Sequence, residues 1–261
     1  MIRRRIAALA AGLAVLIPMM PATQASAADP VYSVLVFSKT AAFRHSSIPD
    51  GIAAIQKLGA ENNFAVDATE DASVFNDANL AKYDSVIWLM TTGDVLDDAQ
   101  QAAFERYIQA GGGYVGIHSA SDTEYDWPWY GGLVGAYFRD HPAIQQATTK
   151  VAGHDTAATR GLPNKWVRTD EWYNFRTNPR PHVRVLATLD ESTYDPVGYT
   201  GGFMGVDHPL AWCQRYDGGR AFYTGLGHTS DSYREPLVLQ HILGGIEMAV
   251  GVARFNCTPQ H

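Results

Sequence analysis

From residue 31 onward the chain alternates short apolar runs with amphipathic stretches. The run "VYSVLVF" (31–37) is β-branched and aromatic almost throughout, the pattern of a strand buried on both faces. A polar loop, "SKTAAFRHSS", leads to a helix over 48–61, with Ser46 or Ser47 as its cap and Pro49 in its first turn. A strand near 64–70, a short helix within 76–83 and a buried strand over 85–90 follow. A helix over 97–110 starts on acidic residues and stops at Gly111, and the strand "YVGIH" (114–118) comes next. This alternation predicts an α/β fold, a parallel sheet flanked by helices, whose sites lie at the carboxyl ends of the strands.

The second half changes character. Strands are expected near 145–152, 166–175 and 184–190, followed by a hairpin in "LAWCQRYDGGRAFYTGLGH" that turns at Asp217-Gly218-Gly219. A helix over 234–250 closes the chain. The second half therefore reads as an antiparallel extension of the parallel sheet. With no internal repeat, low-complexity tract or linker, residues 28–261 read as one domain. Residues 1–27 read differently: three arginines, an apolar run too short to span a bilayer comfortably and Ala25-Ser26-Ala27 form a secretory signal with its cleavage site. Either the general or the twin-arginine export route fits it.

The net charge of −7 becomes −10 once those arginines are removed, with 17 basic against 27 acidic side chains. Such a surface argues against nucleic acid or anionic membrane as a partner. Cys213 and Cys257 are the two cysteines. In an oxidising compartment an even pair points to a disulfide that pins the C-terminal tail, the alternative being two unpaired thiols with Cys213 buried.

The histidines carry the chemistry. His45 lies just beyond the first strand, His118 ends the fourth, and His228 ends the hairpin's second strand. The topology brings all three to one crevice, where neutral imidazoles suit a divalent ion such as Zn, Fe, Mn, Ni or Cu, with Ca a further candidate. The other reading of each is a histidine that merely bonds a nearby carbonyl. "TDEWYNF" adds Asp170 and Glu171, which point to opposite faces if the strand is regular; Glu171 is the candidate ligand or general base. Arg44 is a candidate anchor for an anionic or carbonyl oxygen. Asp122, Trp127, Trp129, Tyr173 and His208 are candidates for substrate contact, the aromatic ones as faces on which sugars stack. The His-Pro pairs at 141–142 and 208–209 equally suit turns. Gly111-Gly-Gly113-Tyr-Val-Gly116 spells a dinucleotide fingerprint, but its glycines follow a helix and enter a strand, the reverse of the order such a site needs.

Taken in order, "FRHSS", "GGGYVGIHSA", F-R-D-HP at 138–142, "DEWYNF" and "HPLAWCQRYDGGRAFYTGLGH" resemble the trehalose-utilisation, or ThuA-like, family along nearly the whole mature chain. The resemblance implies a flavodoxin-like fold related to the class I glutamine amidotransferases. His118 then stands where those enzymes hold a cysteine nucleophile, and His228 near their histidine. No thiol is available there, so Cys–His glutamine hydrolysis is excluded. The resemblance implies carbohydrate as the substrate, often alongside enzymes that oxidise sugars to 3-keto derivatives. A C3 carbonyl acidifies the C2 proton, so a base can remove it and the C1 substituent leaves, with a metal or imidazole steadying the enolate. An exported protein meets extracellular glycosides. Two other readings stand beside this lyase or hydrolase: a secreted carbohydrate-binding module, and a metal-dependent hydrolase of unoxidised glycosides or esters. A two-carboxylate glycosidase fits less well, since Asp170 and Glu171 are adjacent.

Overall fold

A computed structural model describes residues 29–259, so the leader expected at 1–27 lies outside the described residues. The first half follows the apolar pattern closely: β1 (Ser33–Phe37), α1 (Ile48–Asn62), β2 (Ala65–Thr69), α2 (Asp77–Leu80), β3 (Ser85–Leu89), α3 (Asp98–Gln109) and β4 (Gly113–Ile117). Local chemistry sets the helix starts. Asp97 and Gln100 form a reciprocal capping box on α3. Ser47 precedes α1 but makes no cap; its hydroxyl instead donates to the His228 carbonyl at 2.5 Å, tying this loop to the site.

The remaining elements are α4 (Pro128–Val134), β5 (Phe138–Asp140), β6 (Gln145–Val151), β7 (Lys165–Asp170), β8 (Asn174–Phe175), β9 (Arg184–Asp190), β10 (His208–Tyr216), β11 (Gly219–Thr224) and α5 (Pro236–Val250). One nine-stranded sheet runs β2-β1-β3-β4-β11-β10-β9-β6-β7, and β5 pairs with β8 separately. The strands from β2 to β11 in that order are parallel, and from β11 onward the pairing is antiparallel. The β10–β11 hairpin turns on Asp217 and Gly218, both at positive φ (45° and 96°), the conformation a two-residue hairpin turn requires. The expected single strand over 166–175 is instead broken. Asp170 turns its carboxylate back onto the N–H of Glu171, and the chain leaves the sheet before β8.

Successive residues of the parallel strands face opposite layers. Val34, Val36, Ile87 and Leu89 pack with α1 and α5, whereas Leu35, Phe37, Val86 and Trp88 pack with α3 and α4. Burial on both faces is why these strands read as unbroken apolar runs. Cys213 in β10 is disulfide-bonded to Cys257, fastening the tail beyond α5. Among the described residues, no helix is long and apolar enough to cross a membrane.

Candidate metal centre

The parallel strands deliver three histidines to one place. β4 ends at Ile117, and His118 takes a left-handed φ of 52° before a single 3-10 turn. That conformation costs a residue with a Cβ about 1–2 kcal/mol. It is held by what the ring meets. Nδ1 of His118 donates to the Gly225 carbonyl at 3.0 Å, and because a carbonyl only accepts, Nε2 is left with a lone pair. That Nε2 lies 3.1 Å from Nδ1 of His228 and 3.4 Å from Oε2 of Glu171. Oε2 is in turn 3.0 Å from Nδ1 of His228.

The loop bearing His228 is anchored from below. Asp170, fully buried, accepts the N–H of Gly227 at 2.9 Å and of His228 at 3.1 Å. It is paired with the buried Arg168 at 2.5 Å, which reaches on to Glu235 and Ser232. His45 comes from the loop after β1, its ring centroid 5.0 Å from those of both His118 and His228. Burial first, then the neighbouring imidazoles, push His45 down to about 3, which keeps it neutral. Burial works to raise the Glu171 carboxyl, but the His118 and His228 rings beside it outweigh this and hold the group below the usual carboxylate range.

His45, His118, Glu171 and His228 each offer one ligand atom, all within 4.8 Å of one another. An ionised carboxylate oxygen and the lone pair of His118 face the same point. They repel unless a proton or a cation lies among them. The residues therefore fit a metal ion.

His45, Glu171 and His228 form one wall of a cavity of about 420 Å³, the size range of small-molecule sites, and His118 is buried behind them. Asp122 and Tyr173, both expected as substrate contacts, line it. Tyr173 stacks on His118 with centroids 4.2 Å apart. Burial raises the Asp122 carboxyl, although it accepts the Tyr125 hydroxyl at 2.5 Å.

Other expected contacts lie elsewhere. Arg44 is turned outward in an exposed ion pair with Glu70 (2.6 Å), because adjacent residues of an extended loop face apart and His45 takes the inner side. Trp127 and Trp129 stack on each other, their indole N–H groups bonded to Glu105 and Asp217; they pack α4 against α3 and the hairpin turn, away from the cavity. His208 is fully buried behind the site. Its Nε2 donates to the Tyr173 carbonyl at 2.8 Å and its Nδ1 meets Glu191 at 2.9 Å, so it fixes Tyr173 from behind.

His141, whose His-Pro pair the sequence leaves open between a turn and a functional role, lines the cavity. Its Nδ1 lies 2.8 Å from the Pro142 carbonyl and 3.3 Å from Oε1 of Glu171. Both are acceptors, which places the proton on Nδ1 and the free lone pair on Nε2. Phe43, Phe138 and Tyr199 also line the cavity without having been expected there. The motif F-R-D-HP, which contributed to the family resemblance, was the available signal for Phe138 and His141.

The chain is similar to two solved proteins described as ThuA-like. The one from Bacteroides uniformis is 25% identical, with a TM-score of 0.71 over 85% of this chain and 93% of that one. The one from Parabacteroides merdae is 22% identical, with a TM-score of 0.69 over 85% and 90%. A β-galactosidase from Rahnella sp. R3 shares the fold at 15% identity and a TM-score of 0.54, over 84% of this chain and 31% of that enzyme. No curated protein matches the sequence. The ThuA family, trehalose utilisation, matches residues 33–249. The chain thus belongs to the ThuA family, with the class I glutamine amidotransferase-like fold and the carbohydrate-related role of that family.

Proposed function

We propose that the protein is an exported, metal-assisted enzyme that cleaves 3-keto-glycosides or 3-keto-disaccharides by removing the C2 proton and expelling the C1 substituent. One observation carries the reading: Nε2 of His118, Nδ1 of His228, the Glu171 carboxylate and neutral His45 offer ligand atoms within 4.8 Å of one another, a donor set that a cation satisfies once Nδ1 of His228 gives up its proton. Three imidazoles and a single carboxylate suit Zn, Mn or Ni better than Ca, which prefers an all-oxygen shell. Bound there, a divalent ion supplies Lewis-acid stabilisation to a developing oxyanion.

The chain's own groups handle the protons. Nε2 of His141 accepts the C2 proton, and Oε1 of Glu171 steadies the imidazolium that results, as a carboxylate does behind a catalytic histidine. Electrons from the broken C2–H bond form the enolate of the C3 ketone, then return to open the C1–O bond. Asp122, whose carboxyl burial raises above its ordinary range, is the group placed to donate a proton to the departing oxygen. The products are the unsaturated 3-keto sugar and the free alcohol, and addition of water at C1 gives net hydrolysis. The Cys213–Cys257 disulfide supports the exported part of the reading, since such bonds persist in oxidising compartments.

The test is turnover of 3-keto-trehalose with release of glucose. His141→Ala is expected to lower kcat at least 100-fold with metal content unchanged. Saturable binding without turnover would mark a binding module, and equal turnover of unoxidised trehalose would mark an ordinary hydrolase; either overturns the proposal.

A further inference from the structure

Two aromatic rings at the cavity mouth have no part in that chemistry. Phe43 and Tyr199 line the cavity but remain 64% and 68% exposed. Single exposed apolar residues are ordinary, but two large rings sharing the opening of one polar cavity are a feature of binding sites.

Both rings stand on fixed backbone. The Phe43 carbonyl accepts the Thr92 hydroxyl at 2.7 Å, and the N–H of Ala41 donates to the Thr92 carbonyl at 2.7 Å. The loop bearing Tyr199 is wrapped around the buried carboxylate of Asp140. That carboxylate takes the Thr200 hydroxyl, the N–H groups of Thr200 (3.2 Å) and Gly202 (3.0 Å), and the Asn174 amide (2.9 Å). A Cβ at Gly202 would collide with it, so glycine there is what lets the loop close. The rings are nearly perpendicular to the site's own imidazoles: Phe43 to His45 at 4.9 Å, and Tyr199 to His141 at 5.3 Å. An aromatic surface held this way is prepared for a flat, partly apolar ligand and loses little freedom on binding it. A pyranose ring fits that description, because its C–H groups form an apolar face while its hydroxyls remain in water.

We propose that Phe43 and Tyr199 form an outer subsite that holds a second sugar ring while the first lies against the histidine cluster. The inference rests on the carbohydrate reading above and adds the size of the substrate: two rings at least, the C1 substituent being itself a sugar.

Calorimetric titration of the full chain with trehalose, cellobiose and glucose, which bind without turnover, tests it. At least one disaccharide is expected to bind about tenfold more tightly than glucose. Phe43→Ala and Tyr199→Ala should each remove most of that advantage and leave glucose affinity unchanged, whereas Phe43→Tyr and Tyr199→Phe should retain it. Disaccharide affinities no better than that of glucose, absence of binding by all three sugars, or a ratio untouched by the alanine variants would overturn the subsite. Repeating the titrations after metal removal separates the two proposals: failure of the metal reading shows in metal content and keto-sugar turnover, failure of the subsite in the disaccharide-to-glucose ratio.

Discussion

His118 shows at the scale of one residue how the backbone serves the site. Its φ of 52° is tolerated because the ring meets the Gly225 carbonyl, His228 and Glu171. Replacing it by glycine or alanine removes the ligand equally, but only glycine adopts this conformation freely. His118→Gly should therefore be more stable to urea than His118→Ala by about 1 kcal/mol. Equal midpoints would show that the left-handed turn carries no strain. The meeting of His45, His118, His228 and Glu171 was legible because the three histidines follow strands whose direction the alternating pattern dictates. His141 was not, since it follows β5, whose partner β8 lies outside the main sheet and leaves no periodic trace. Aromatic content alone misplaced Trp127 and Trp129. What decided their position was α4 burying one face, which composition does not specify.

Among the elements, the junction after β7 has the most direct consequence for the site. A regular strand over 166–175 would send Asp170 and Glu171 to opposite faces. The break instead lets Asp170 hold the His228 loop while Glu171 reaches the imidazoles. Alternating hydropathy cannot show such a break, because it comes from a side chain bonding backbone N–H groups. The parallel elements were readable to within a few residues, since their strands are buried on both faces and their helices carry clear stops. Asp170→Asn tests the junction. It leaves Arg168 short of a charge partner and takes one acceptor from the loop, so we expect a loss of about 3 kcal/mol in unfolding free energy. Metal affinity should fall at least tenfold at a temperature where the variant is fully folded. Unchanged affinity in the folded variant would show that His228 is placed by other contacts.

Over the whole molecule, the centre joins two differently built halves. His45, His118 and His228 come from the carboxyl ends of β1, β4 and β11 on the parallel side, and Glu171 and His141 come from segments of the antiparallel side. The β10–β11 hairpin links the two, and the Cys213–Cys257 bond fastens the tail to it. The antiparallel extension was visible in the sequence, but its return over the crevice depends on long-range pairing that no local pattern encodes. The chemistry proposed for the cavity depends on whether this junction holds a cation. The decisive measurement is metal content by elemental mass spectrometry on protein purified without affinity metal or chelator, beside His118→Ala and His228→Ala. Near-stoichiometric Zn, Mn or Ni in the native protein, lost from both variants, is the predicted result; native protein that holds no metal even after these ions are supplied would contradict it.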